Sequence, residues 1–201
     1  MPRVVDHETR RRELTDALLR VVVRDGYDAI SIRSVADEAG CSVRPVQYYF
    51  ADKAHLLAAA HARVSARMGA LLTLAVRELG ESPRPRAVVE TVVHAFLPTN
   101  DEARDAVIAY HCFFAAELTQ PSMRVPNAGA SPNALARLIR TQFERHWNRP
   151  PTAAELRDIQ LLVTSLSTIA ATVIAGYQGI KAARALLDHQ INRLLPPESK
   201  R

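Results

Sequence analysis

Apolar residues recur at spacings of three and four along most of this chain. Between Glu8 and Arg24 they fall at Leu14, Ala17, Leu18, Val21 and Val22, the stripe of an amphipathic helix, and Gly26 follows as a C-terminal cap. Ser31 is placed to accept a backbone N–H as N-cap of a short second helix, Ile32 to Ala39, closed by Gly40. Ser42 is expected to cap a third, Val43 to Tyr49 or Phe50, with Pro45 in the first turn, where its missing N–H costs little. Asp52 then reads as N-cap of a long helix from Lys53 to about Leu79, ended by Gly80 and the prolines at 83 and 85.

Further helical patterns cover roughly Arg86 to Leu97, Asp101 to Leu118, Pro132 to Trp147, Thr152 to Tyr177 and Ile180 to Leu195, each ending at proline or glycine punctuation. The stretch PSMRVPNAGASP, residues 121–132, reads as the long loop, and no internal repeat is visible. With 48% hydrophobic residues and 7 glycines in 201, the chain can bury a sizeable core and lacks the turn clusters of a β protein, so an all-α fold is predicted.

Composition narrows the function classes. Cys41 and Cys112 are far apart and make no ligand-spaced pair, which indicates a reducing, cytoplasmic setting with no disulfide framework and no zinc site. Charges crowd the N-terminus where a signal peptide would need an apolar core. The 22 residues Ile159 to Ile180 carry no formal charge and match the length of a bilayer span. They also contain Gln160, Thr164, Ser165, Ser167, Thr168, Thr172 and Gln178 without an aromatic belt, so a core or subunit-interface helix is the better reading and no membrane partner is expected. No HExxH, nucleophile elbow, phosphate-cradling glycine loop or metal-spaced Cys/His cluster is present, and no catalytic residue or cofactor is assigned.

The net charge of +5 does not by itself point to nucleic acid, because residues 1–53 hold nine Arg/Lys against nine Asp/Glu and the excess lies beyond them. The local pattern is more informative. Two short helices joined by a glycine turn and braced by a preceding helix form a helix-turn-helix, whose second helix can enter the major groove of B-DNA. A small closed core can be written for it: Leu18, Val22, Ile30, Ile32, Val35, Ala36, Val46 and Phe50. Val46 and Phe50 then face inward, leaving Val43, Arg44, Pro45, Gln47 and Tyr48 outward, and no acid occurs from Gly40 to Ala51.

The run DGYDAISIRSVADEAGCSVRPVQYYFADKAHLL, residues 25–57, resembles the TetR family of transcriptional regulators. The matching features are a Gly-aromatic pair, Ser before the second helix, an Ala-Gly turn, Ser before the third, and aromatic-Phe followed by Lys. The resemblance implies a DNA-binding domain over 1–53 and a helical ligand-binding and dimerisation domain over 54–201, acting as a homodimeric, ligand-responsive repressor on a palindromic double-stranded DNA operator. By that resemblance Arg33 and Arg44 are candidates to read bases, since Arg bonds guanine O6 and N7 bidentately. Gln47 would read adenine or bond phosphate, while Ser42, Tyr48, Tyr49 and Lys53 would hold the backbone. Val43 and Pro45 complete the candidate surface. The Arg10–Arg12 run is a further candidate for proximity to phosphate. Where the family often has Tyr, this chain has Gln47, which bears on the operator sequence and leaves the fold untouched.

The end of the recognition helix, PVQYYF at residues 45–50, is most similar to the BetI-type branch of that family. The last two helices suit a two-fold interface, with Leu166, Ile169, Val173, Ile180, Leu187, Ile191 and Leu194 expected to supply its apolar area. For a small-molecule effector of unknown identity, the candidates are Tyr110, Phe113, Phe114, Glu117, Trp147, Ser165 and Thr168, a concentration of aromatic and polar groups in a chain that is 5% aromatic.

Overall fold

The computed structural model describes residues 3–119 and 132–197, and among them every regular element is helical. The elements are α1 (Arg3–Asp25), a 3-10 turn (Tyr27–Ala29), α2 (Ile32–Glu38), α3 (Val43–Tyr49), α4 (Lys53–Arg77), α5 (Pro85–His94), α6 (Asp101–Thr119), α7 (Pro132–Trp147), α8 (Ala153–Ile174) and α9 (Ile180–Leu194). The predicted elements are all present, with ends displaced by a few residues. The predicted loop at 121–132 lies, but for Pro132 at the start of α7, outside the described residues.

The packing divides the chain into two units, the described parts of Met1–Ser65 with Ile108–Pro126, and of Ala66–Val107 with Asn127–Arg201. Helices α4 and α6 each contribute residues to both units.

In the first unit, α1, α2 and α3 close around Leu14, Leu18, Val22, Ile30, Val35, Val46 and Phe50. Ile32, expected in this core, is only half-buried against it. The core is larger than the three helices supply, because Leu56, Leu57, Ala60 and Val64 from α4 and Ala109 and Phe113 from α6 complete it. Phe113 is 1% exposed, stacks on His61 with ring centroids 5.3 Å apart, and meets the Tyr27 ring edge-on at 6.2 Å.

Local chemistry sets the helix-turn-helix joints. Ser31 Oγ accepts from the Ser34 amide at 2.9 Å and Ser34 Oγ accepts from the Ser31 amide at 2.9 Å, a reciprocal cap on α2. At its other end Gly40 takes φ +64, which lets the Cys41 amide reach Ala36 O at 3.0 Å and the Gly40 amide reach Asp37 O at 3.1 Å. That pair of bonds is the Schellman closure, and a residue with a Cβ would be strained there. Asp52 caps α4 as expected, its Oδ1 accepting from the His55 amide at 2.9 Å. Ser42 departs from expectation. It holds the N-cap position of α3 with extended backbone, but its side chain accepts no capping bond.

The second unit packs α5, α7, α8 and α9 around Val89, Val92, Ile139, Phe143, Leu162, Leu166, Leu187 and Ile191. Thr152 and Glu155 form a capping box on α8, and Arg149 grips the same carboxylate with nitrogens 2.7 and 2.9 Å away. These bonds hold Glu155 down at a pKa of about 2, the Arg149 pair being the largest cause and the Thr152 amide the next. Helix α8 is long and apolar enough to cross a bilayer, yet Ile159, Leu162, Val163, Leu166, Ile169 and Ala170 are buried in this unit's core. Those are the marks of a core helix.

The same burial corrects one expectation. Leu166, Ile169, Leu187, Ile191 and Leu194 are all 9% exposed or less and belong to the protomer's own core, so they cannot supply apolar area to a partner. Of the expected set Ile180 stays exposed, and with it the outward faces of α8 and α9 carry Leu156, Leu161 and Leu186, these four being 38 to 62% exposed. Periodicity located two apolar helices but could not say which stripe their own unit would use.

Candidate nucleic-acid interface

Helix α3 has one inward edge and one outward face. Val46 and Phe50 are buried, while Arg44, Gln47 and Tyr48 are exposed, Tyr48 by 75%. Val43 and Pro45, expected to face outward, are half-buried, and Val43 packs against the core. Arg33 on α2, Ser42 before α3 and Lys53 at the start of α4 are exposed. Tyr49 is half-buried and packs against the core, and its ring meets Tyr48 edge-on at 5.2 Å and the imidazole of His7 at 4.5 Å. The aromatic pair is therefore a joint: one ring anchors and the other projects.

The charge balance of the head resolves when its ion pairs are traced. Glu38 accepts from Arg20 Nε and from Arg24 Nη1, both at 2.6 Å, which ties α2 to α1. Those two bonds, Arg20 first, hold the Glu38 carboxyl below its usual range. Arg24 likewise holds Asp25 low, and its own guanidinium is pushed up by Asp25 and Glu38. Arg10 pairs with Glu13 at 2.7 Å and Arg63 with Asp16 at 3.1 Å. Asp52 is drawn down by the amide and then the ring of His55. Among the described residues Arg33, Arg44 and Lys53 have no carboxylate within ion-pair distance. Four of the head's acids, Glu13, Asp16, Asp25 and Glu38, are thus engaged by arginines, while among the described residues the cations beside α3 stay unpaired.

An exposed guanidinium and amide on one helix face, flanked by a projecting phenol and an ammonium at a helix N-terminus, form a set of hydrogen-bond donors suited to base edges and phosphate oxygens. Residues 14–60 match the family model described as bacterial regulatory proteins, tetR family. The chain is 34% identical over 103 residues to the HTH-type transcriptional regulator PksA of Bacillus subtilis, covering 51% of this chain and 48% of that protein. Over residues 14–60 the chain carries the DNA-binding region of the TetR family. Over 123 residues it is 27% identical to the regulator BetI of Proteus mirabilis, covering 61% of each. It therefore spans about half to three fifths of the length of these curated relatives. The fold agrees more widely: a TetR-family regulator from Rhodococcus sp. superposes with a TM-score of 0.80 at 17% identity, covering 92% of this chain and 98% of that one. The multidrug binding protein EbrR, solved with ethidium, shares the fold at a TM-score of 0.63 and 22% identity, covering 90% and 98%.

The residues singled out for an effector fall in different units of this chain. On α6, Tyr110 and Phe114 lie parallel, with centroids 6.1 Å and planes 6° apart, and Phe114 is 42% exposed. Phe113, one position away, points into the head core. The Glu117 side chain lies outside the described residues. In the second unit Trp147 is 41% exposed and donates its Nε1–H to Leu194 O at 3.1 Å. Ser165 Oγ lies 2.9 Å from Leu162 O and 3.0 Å from Gln190 Oε1, and Thr168 is exposed. Sequence reasoning missed the burial of His61, 6% exposed beneath Phe113, because a histidine in an alanine-rich helix gives no periodic signal. Among the described residues no three His, Cys, Asp or Glu side chains gather where they could hold a metal ion.

Proposed function

We propose that this chain is a sequence-specific DNA-binding transcriptional regulator, working in the cytoplasm as a homodimeric repressor on a palindromic operator. The observation that carries the reading is the set of exposed cations without carboxylate partners, Arg33, Arg44 and Lys53, around the outward face of α3. Residues 1–53 are the reading head and 54–201 the regulatory part. Arg33 and Arg44 contact bases. Gln47 contacts a base or phosphate, and Ser42, Tyr48, Tyr49 and Lys53 fix the phosphate backbone, with Val43 and Pro45 shaping the helix surface between them.

The outward Leu161 and Leu186 faces of α8 and α9 support a two-fold contact between copies, which would carry two heads to half-sites about 34 Å apart. The parallel pair of half-buried Tyr110 and exposed Phe114 supports an effector site on α6. A fold neighbour, the multidrug binding protein EbrR, has been solved with ethidium. Effector binding would shift the population toward a head spacing that no longer fits the operator.

The test is selection of bound fragments from a random double-stranded DNA pool by the purified protein. A palindromic consensus is the expected result. No enrichment at low salt, with the protein dimeric and folded, would overturn the reading.

A further inference from the structure

The run Arg10, Arg11, Arg12 looks uniform in the sequence, yet the three side chains have separate fates. Arg10 Nη1 bonds Glu13 Oε2 at 2.7 Å, and Arg12 Nε donates to Glu8 O at 3.3 Å. Arg11 lies with its guanidinium carbon 5.5 Å from the centroid of the Phe50 ring, with no carboxylate partner among the described residues. A guanidinium resting on an aromatic face keeps its in-plane N–H donors free.

Arg11 lines an open groove of about 690 Å³ beside α3, together with Gln47, Tyr48 and Tyr49 from α3 and His55 and Ala58 from α4. Among the described residues no acidic one lines it. The nearby carboxylate of Asp52 is held by the His55 ring at 2.8 Å. One helical turn before Arg11, on the same face of α1, His7 packs its ring 4.5 Å from Tyr49 and 6.1 Å from Tyr48. The groove thus alternates flat or small apolar surface (tyrosine rings and alanine) with cationic and N–H donor groups.

We propose that this groove takes one sugar-phosphate strand of the operator, so that α1 belongs to the DNA interface through Arg11 and His7. The inference rests on the reading of α3 as the DNA-contacting helix and extends it to a second surface. A DNA strand alternates apolar deoxyribose with anionic phosphate, and duplex DNA presents one charge per about 1.7 Å of axis. Sugars pack on Tyr48, Tyr49 and the α4 alanine wall while Arg11 meets a phosphate. His7 holds the Tyr48–Tyr49 pair in place and offers a ring N–H at the groove mouth.

The experiment uses the full chain and the duplex obtained by selection, with affinity measured by fluorescence anisotropy over a salt series and the backbone mapped by hydroxyl-radical footprinting. Arg11→Gln keeps a side chain with N–H donors and removes the charge. It should shallow the plot of log affinity against log salt by about 0.9 per head, a loss of roughly fivefold per head at about 0.15 M salt, equal for selected and unrelated duplexes. Arg11→Lys should restore the slope, and Arg10→Gln, whose partner is Glu13, should leave it unchanged. His7→Ala should lose protection of the same sugars as Arg11→Gln. A wild type that binds the duplex while Arg11→Gln keeps both slope and footprint would show the groove empty, with the reading of α3 intact. A wild type that binds no duplex would overturn both.

Discussion

Phe113 and Phe114 are neighbours on α6, and the structure assigns them opposite energetic roles. Phe113 is 1% exposed in the head core, stacked on His61 and edge-on to Tyr27, whose hydroxyl is buried without a hydrogen-bond partner. Truncating it to alanine removes a whole ring from a closed core and leaves a cavity that the rigid helices α1, α4 and α6 cannot fill. Phe→Ala at such sites costs about 3–5 kcal/mol. The two ring contacts argue for the upper half of that range, since aromatic pairs add about 0.5–1.5 kcal/mol beyond burial. Phe114, 42% exposed, should lose within about 0.5 kcal/mol on the same change. The assay is urea denaturation followed by circular dichroism at one fixed protomer concentration, because assembly would otherwise shift the midpoint. Loss of less than about 1 kcal/mol in Phe113→Ala, or equal losses in both variants, would refute the placement of α6 in the head core.

Three further outcomes are expected. In quantitative binding to the selected duplex, Arg44→Ala should cost about 1–3 kcal/mol and relax specificity at one base position, whereas Lys53→Ala should weaken all sequences alike and shallow the salt slope by about one. Ser31→Ala should destabilise the fold by about 0.5–2 kcal/mol through loss of the α2 cap, while Ser42→Ala, which removes no capping bond, should leave the thermal midpoint nearly unchanged and register only in DNA affinity. Glu155 has its carboxyl held at about 2 against an ordinary 4.5, so its contribution is complete above pH 4.5 and fades as pH falls toward 2. The melting-temperature deficit of Glu155→Gln relative to wild type should accordingly be present at pH 6 and vanish near pH 2, and a deficit that grows on acidification would contradict the Arg149–Glu155 pairing.

The order and type of the helices, the cap at Ser31, the glycine closure at residue 40 and the inward placement of Val46 and Phe50 were legible in the sequence. Each depends on groups within a few residues of one another, where spacing and backbone preference act directly. The family resemblance in residues 25–57 was legible for the same reason. The fate of residues whose partners lie far along the chain was not. Val43 and Pro45 are less exposed than helical phase suggested, because a seven-residue helix packed along its edge against α1 and α2 covers more than one stripe. Arg11 cannot be told from its neighbours Arg10 and Arg12, whose partners are local, until the position of Phe50 is known. Phe113 and Phe114 look alike on a helix of mixed polarity, and only the opening among Tyr27, His61 and Ala109 selects the first for the core. On α8 and α9 periodicity marked the apolar residues, but both helices carry more than one apolar stripe, and the fold of the unit decides which is buried within it and which stays exposed. The sequence by itself therefore determined the local geometry and the chemistry available. Only the tertiary structure decided which charges cancel and which remain beside α3, because burial and ion pairing depend on distances that chain separation does not fix.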